Sequence, residues 1–222
     1  RVVLDCNNGA GAVLGPRFLR ELGCDVVPLA CDPTGEFVHP SEPTPENIAG
    51  VCRAVKTARA DIGFVQDADA DRLAIIDERG RPLGEEMTLV WAASRVLEKT
   101  KGSIVCNMSS TRALDDLAAR HGVKIFRIRI GEVNVVEKVL AARPRAVIGG
   151  EGNGGVIDPE IHPCRDSFAA MGHVLDALAA GHKPVSALAG ALPRYVLLKD
   201  RIEGSAERAH RLIRVLRKRY ED

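Results

Sequence analysis

A chain of 222 residues has the length of one large domain or two small ones. It is 45% hydrophobic and 27% charged, as ordinary globular proteins are. A net charge of +1 and an aromatic content of 4% argue against a nucleic-acid partner, which would want a basic field or a stacking platform. No apolar run reaches the roughly 18 residues needed to cross a bilayer, and the opening Arg1-Val2-Val3-Leu4-Asp5 does not lead into an apolar signal core.

In chain order, Arg1 to Cys6 reads as a strand, Asn7-Asn8-Gly9-Ala10-Gly11 as a turn, and Val13 to Leu22 as a helix closed by Gly23. A strand follows at Asp25 to Ala30, then an irregular loop over 32–45 with four prolines. Pro45 to Ala58 is expected to be helical, with Thr44 as N-cap and Pro45 in the first helical position. Strands at Asp61 to Val65 and Leu73 to Asp77 flank an acidic loop. A hairpin-like turn at Glu78-Arg79-Gly80-Arg81 leads to a helix over Glu85 to Lys99.

A second cycle runs through strands at Ser103 to Asn107, Lys124 to Ile130 and Arg145 to Ile148. Its helices are Thr111 to His121, Val133 to Ala142, and Ser167 to Ala180, the last capped by Asp166 and closed by Gly181. Two such cycles predict two tandem three-layer α/β/α domains with mixed, mostly parallel sheets. The boundary falls near Lys99 to Gly102, giving units 1–99 and 100–186 and a partial α+β segment over 187–222. That segment holds a short strand, Tyr195 to Lys199, and a basic helix, Ala206 to Tyr220, with an apolar stripe of Ala209, Leu212, Ile213, Leu216 and Tyr220.

The six cysteines show no C-x-x-C pair or histidine cluster, so zinc is not expected, and they read as reduced, mostly buried residues of a cytoplasmic protein.

The chemistry concentrates in Asp67-Ala68-Asp69-Ala70-Asp71-Arg72. Alternate spacing lets three carboxylates converge when the loop curls. Each close pair repels by roughly 3 kcal/mol at about 5 Å and an effective dielectric near 20, so convergence calls for a cation. Hard carboxylate oxygens suit magnesium or calcium. An EF-hand is excluded by Arg72 at the position that requires glycine, and by flanking strands rather than helices. Arg72 beside a metal loop is placed to hold a phosphate.

With these residues the chain resembles the phosphohexomutases, whose metal loop usually reads Asp-Gly-Asp-Gly-Asp-Arg. Ala68 and Ala70 depart from that pattern, so they must take ordinary backbone angles or carry strain. A second stretch, Gly149-Gly150-Glu151-Gly152-Asn153-Gly154-Gly155, offers a carboxylate and an amide on flexible backbone, chemistry that suits sugar hydroxyls. Gly150, Glu151, Asn153 and Gly154 match the family's sugar-recognition loop. Gly131-Glu132-Val133-Asn134-Val135 resembles the segment before it. Histidines that some members carry near Glu132 and at Gly155 are not present, which leaves the hexose open. Arg165-Asp166-Ser167 resembles a family Arg-Asp-Gly segment and reads either as a substrate-facing Arg165 or as a helix cap by Asp166. Asn7 to Gly11 reads as structural, and Ser109-Ser110 as helix capping rather than a nucleophile.

The resemblance covers nearly the whole chain as the family's second and third domains and the start of its fourth. It implies magnesium on Asp67, Asp69 and Asp71, with Arg72 catalytic at a phosphate and Gly150, Glu151, Asn153, Gly154 and Arg165 binding a hexose phosphate. It also implies a phosphorylated serine on a first domain that this sequence does not contain. The partners expected are therefore that sugar phosphate and the missing first and fourth domains of the same protein. Homodimer formation is left open. Two rival readings are a phosphatase of the haloacid dehalogenase type, with Asp67 as nucleophile, and a non-catalytic sugar-phosphate-binding module.

Overall fold

The computed structural model describes residues 1–193, 195–196 and 203–220. The first unit begins with β1 (Val2–Asp5), α1 (Leu14–Glu21), β2 (Val26–Leu29), α2 (Ala49–Thr57), β3 (Ile62–Gln66) and β4 (Leu73–Asp77). Its sheet has the order β2-β1-β3-β4, with β1 parallel to both neighbours and β4 antiparallel to β3. After α3 (Glu86–Lys99) the plan repeats: β5 (Ser103–Asn107), α4 (Ala113–His121), β6 (Ile125–Ile128), α5 (Glu132–Ala142), β7 (Ala146–Gly150) and β8 (Val156–Ile157). The second sheet runs β6-β5-β7-β8, again with two parallel pairs and an antiparallel last strand. Helices α6 (Ser167–Gly181), α7 (Val185–Gly190) and α8 (Ala206–Arg219) follow.

Strands covered on both faces carry apolar residues at successive positions rather than alternately. Leu4 of β1 and Cys6 just after it belong to one core, while Val3 belongs to a second core with Ile48, Val51 and Val55. In β5, Ile104 and Cys106 share the first of these cores, and Val105 meets Val135 and Val139 of α5 on the other face. One hydrophobic core thus runs between the two sheets. Helix α3 lies in it, with Leu89, Val90, Trp91, Ala92, Ala93, Val96 and Leu97 all buried, the pattern of a helix wrapped by protein rather than lying on a surface. It packs on α4, α6 and β7 and touches β4.

Several expectations need correction. The helix foreseen from Pro45 starts only at Ala49. Thr44 accepts backbone bonds from Asn47 and Ile48 in a preceding turn, and its side chain does not cap α2. Ser109 and Ser110 do not cap α4; both hydroxyls donate to Asn107 Oδ1, at 3.0 and 2.8 Å. The left-handed residue that closes α6 is His182, with φ of 47°, rather than Gly181. Strand β8 and helix α7 were not foreseen, being only two and six residues long. The strand expected at 195–199 falls largely outside the described residues. Of the cysteines, Cys6 and Cys106 are buried and Cys164 is exposed; none is in a disulfide.

Candidate active site

The acidic loop closes the antiparallel pair β3–β4, leaving the sheet after Gln66 and returning at Leu73. Asp67 curls it: Oδ1 accepts the N–H groups of Asp71 and Arg72 at 3.1 and 3.0 Å. Oxygens of Asp67, Asp69 and Asp71 then all lie within 4.8 Å of one another. Ala68 takes an ordinary φ, whereas Ala70 sits at 61°, a left-handed angle that costs an alanine about 1 kcal/mol.

The turn after β1 lies directly beneath. Ala10 N–H donates to the Ala68 carbonyl at 2.8 Å, and a Cβ on Gly9 would stand 2.3 Å from that oxygen. Only glycine permits this approach. Asn7 Oδ1 accepts from the amides of Val38 and His39, which ties down the proline-rich loop. From that loop Ser41 accepts the Ala68 N–H at 3.2 Å.

Charge in the loop is dense. Arg72 Nε lies 2.5 Å from Asp67 Oδ2 and 3.6 Å from Asp71, and its Nη1 lies 3.5 Å from Glu42. Burial raises the Asp67 carboxyl above its ordinary value despite the bonds from Arg72. Burial and the nearby Asp67 charge push Asp71 up to about 6 against the pull of Arg165. Among the described residues, Asp71 Oδ1 is buried and accepts no hydrogen bond. Three hard oxygens, one of them an orphan, fit a small divalent cation.

The glycine-rich loop occupies the equivalent place in the second unit, between β7 and β8. Glu151 is buried, and its Oε1 accepts from Asn107 Nδ2 at 2.7 Å and Gly131 N–H at 3.2 Å. Asn153 Oδ1 accepts the Gly155 N–H at 3.2 Å. Gly154 has φ of 93°, and its carbonyl accepts the Leu73 N–H at 3.1 Å, joining this loop to the first unit's sheet.

Arg165 joins the two loops through side chains. Its guanidinium donates to Asp71 and, at 3.2 Å, to Glu151, while its backbone N–H donates to Glu132 at 2.8 Å. The next residue, Asp166, caps α6 through the amides of Phe168 and Ala169, as the helix-cap reading of this segment expected. Arg72 and Asn153 line one cleft of about 920 Å³, with Glu42 and Glu86 on its wall.

The structure thus gathers Asp67, Asp69, Asp71, Arg72, Glu151, Asn153 and Arg165 at one place. It adds Asn107, Gln66 and Ser167, which the sequence did not single out. For Asn107 a signal existed: it is a polar residue at the carboxyl end of an apolar strand, the end where open α/β sheets bind ligands. For Ser167 the signal was its departure from the glycine of the Arg-Asp-Gly segment that residues 165–167 resemble.

Family models match most of the chain. Residues 1–80 match the phosphoglucomutase/phosphomannomutase α/β/α domain II, and residues 84–195 match domain III. The chain belongs to this family. A Thermococcus kodakarensis protein named phosphoglucomutase/phosphomannomutase is 38% identical over 91% of the chain and 45% of its own length. A Methanopyrus kandleri protein named "Probable phosphoglucosamine mutase" is 32% identical over 100% of the chain and 50% of its own length. The chain therefore spans about half the length of these relatives. Among solved structures, a phosphoglucomutase/phosphomannomutase family protein from Burkholderia thailandensis superposes with a TM-score of 0.78 at 30% identity, covering 88% of this chain and 43% of that one. An Aspergillus fumigatus N-acetylphosphoglucosamine mutase in complex with GlcNAc-6P and magnesium shares the fold, at a TM-score of 0.59 and 17% identity over 86% of this chain and 45% of that one.

Proposed function

We propose that the chain is the metal- and sugar-binding part of a phosphohexomutase, an isomerase interconverting hexose 1-phosphate and hexose 6-phosphate. The observation that carries this reading is the juxtaposition at one cleft. Leu73 N–H bonds to the Gly154 carbonyl and Arg165 spans Asp71 and Glu151, so the acidic loop and the glycine-rich loop lie side by side. Family membership favours this reading and lends nothing to a phosphatase with Asp67 as nucleophile. Asp67, moreover, is fully buried and held by Arg72.

In the reaction proposed, a phosphoserine outside this chain gives its phosphoryl group to the free hydroxyl of a hexose monophosphate. The resulting bisphosphate reverses in the cleft and returns its other phosphoryl group to the serine. Magnesium held by Asp67, Asp69 and Asp71 supplies positive charge at the transferring group. Arg72, at the cleft wall, orients phosphate. Glu151 and Asn153 hold sugar hydroxyls on the backbone of Gly150 and Gly154, and Arg165 links sugar loop to metal loop. A cytoplasmic setting belongs to the same proposal.

Calorimetry of the 222-residue chain tests it. Magnesium alone should bind weakly, and a hexose 6-phosphate should strengthen it, because phosphate oxygens complete the shell. The same chain should show no mutase turnover. Robust turnover by the pure chain, or hexose-phosphate binding indifferent to magnesium, would refute the proposal.

A further inference from the structure

Ala70 holds a left-handed backbone angle between two of the three loop carboxylates, without the glycine that tolerates it. Its carbonyl is not left to itself. Ser167, fully buried at the start of α6, donates from Oγ to Ala70 O at 2.6 Å, and its backbone N–H reaches the same oxygen at 3.4 Å. The hydroxyl is itself aimed: Gln66 Nε2 donates to Ser167 Oγ at 2.7 Å, which leaves the Ser167 proton for Ala70. Gln66 is buried too, and its Oε1 lies 3.1 Å from Cys6 Sγ, a donor that fixes which end of the amide faces the serine. A chain of bonds thus runs from Cys6, just after β1, through the last residue of β3 to α6, and ends on the one strained peptide of the acidic loop.

We infer that Ser167, oriented by Gln66, is a positioning residue: it clamps the Ala70 peptide in its left-handed state and so holds Asp69 and Asp71 in register for a cation. The inference rests on the magnesium reading of the loop, yet the clamp acts in the metal-free chain as well. Its physical logic is compensation. Alanine at 70 favours ordinary angles, and rotation of that peptide would swing Asp71 away from Asp67. The buried hydroxyl offsets that preference, and rotation would leave it and the Ala70 carbonyl without their partner. The sequence carries both departures together, Ala70 in the metal loop and Ser167 after Arg165-Asp166, at positions where the resemblance pattern has glycine.

The test uses the chain with Ser167→Ala, Ser167→Gly, Ala70→Gly and the double variant Ser167→Gly with Ala70→Gly. Two readouts are taken: magnesium affinity in the presence of a hexose 6-phosphate, and metal-free hydrogen exchange at the Asp71 and Arg72 amides, both of which donate to Asp67. Either serine substitution should weaken magnesium about fivefold to tenfold, the loss of one buried hydrogen bond, and speed exchange at those two amides by a similar factor. Ala70→Gly in the same chain should recover most of both losses, because glycine needs no clamp to stay left-handed. A merely structural serine would lower the melting temperature without that rescue. Unchanged exchange in both serine variants, or equal losses with alanine and glycine at 70, would overturn the clamp. Should magnesium fail to bind the parent chain, the metal reading falls, and the exchange data alone decide whether Ser167 holds the loop.

Discussion

The two units share one plan and put different chemistry at the same point of it. Each has a four-stranded sheet with two parallel pairs and an antiparallel fourth strand, and each places its candidate functional loop between the third and fourth strands. In the first unit that loop is built of charge: three carboxylates and an arginine, curled by hydrogen bonds to Asp67. In the second it is built of backbone, with glycines that let Gly154 approach β4 and a single buried carboxylate, Glu151. A carboxylate loop needs a counter-ion and a tether. A glycine loop needs space and the left-handed angles its sequence permits. The topology fixes where a loop stands, and the side chains decide what it holds.

The largest effect expected from breaking this contrast is in the charged loop. Asp69→Asn removes one of three converging ligands and should take magnesium-linked heat in calorimetry below detection, with the fold intact because Asp69 is exposed. The backbone loop should fail differently. Gly154→Ala places a Cβ 2.6 Å from the Leu73 carbonyl at a φ of 93°, and should cost about 2–4 kcal/mol in urea unfolding. That variant tests stability, where Asp69→Asn tests binding.

The bridge between the loops comes next. Arg165→Gln removes the charge shared by Asp71 and Glu151, and should weaken hexose 6-phosphate binding about tenfold while sparing the secondary structure seen by circular dichroism. The smallest effect concerns the exit of the second loop, where Asp158 pairs with His173 of α6 at 2.8 Å. Burial pushes the Asp158 carboxyl up, but the bonds from His173 and the Glu160 amide prevail and hold it below its ordinary value. A carboxyl whose folded pKa is depressed contributes stability that is present above its unfolded pKa and lost as pH falls through the folded one. Asp158→Asn should therefore lower stability by about 1 kcal/mol at neutral pH, and the gap to the parent should close as pH falls below about 4. A gap that widens on acidification would contradict the pairing.

Much of this was legible before the fold. Three aspartates at alternate positions read as able to converge on a cation because close carboxylates call for positive charge, and the strands around them read as buried from their unbroken apolar runs. Asp166 read as a cap, and it is one. Thr44 and Pro45 carried an equally good start signal and failed. Thr44 instead closes a turn on Asn47 and Ile48, and the burial of Ile48 against Val3, Val51 and Val55 outweighed local preference. The sequence places a break after α3, whereas the family matches change over at residues 80–84, before it. Helix α3 lies in the core between the two sheets, so no change in composition marks where one unit ends.

The sequence by itself determined the order of the longer elements, though not β8 or α7, and with it the buried strands and the identity of the charged and glycine-rich loops, because periodicity and residue chemistry are local properties. Only the tertiary structure decided that Arg165 reaches Asp71 across 94 residues, that Gly154 receives Leu73, and that Ser167 holds Ala70. Those contacts depend on how two sheets pack on a common core, and no window of sequence contains that distance.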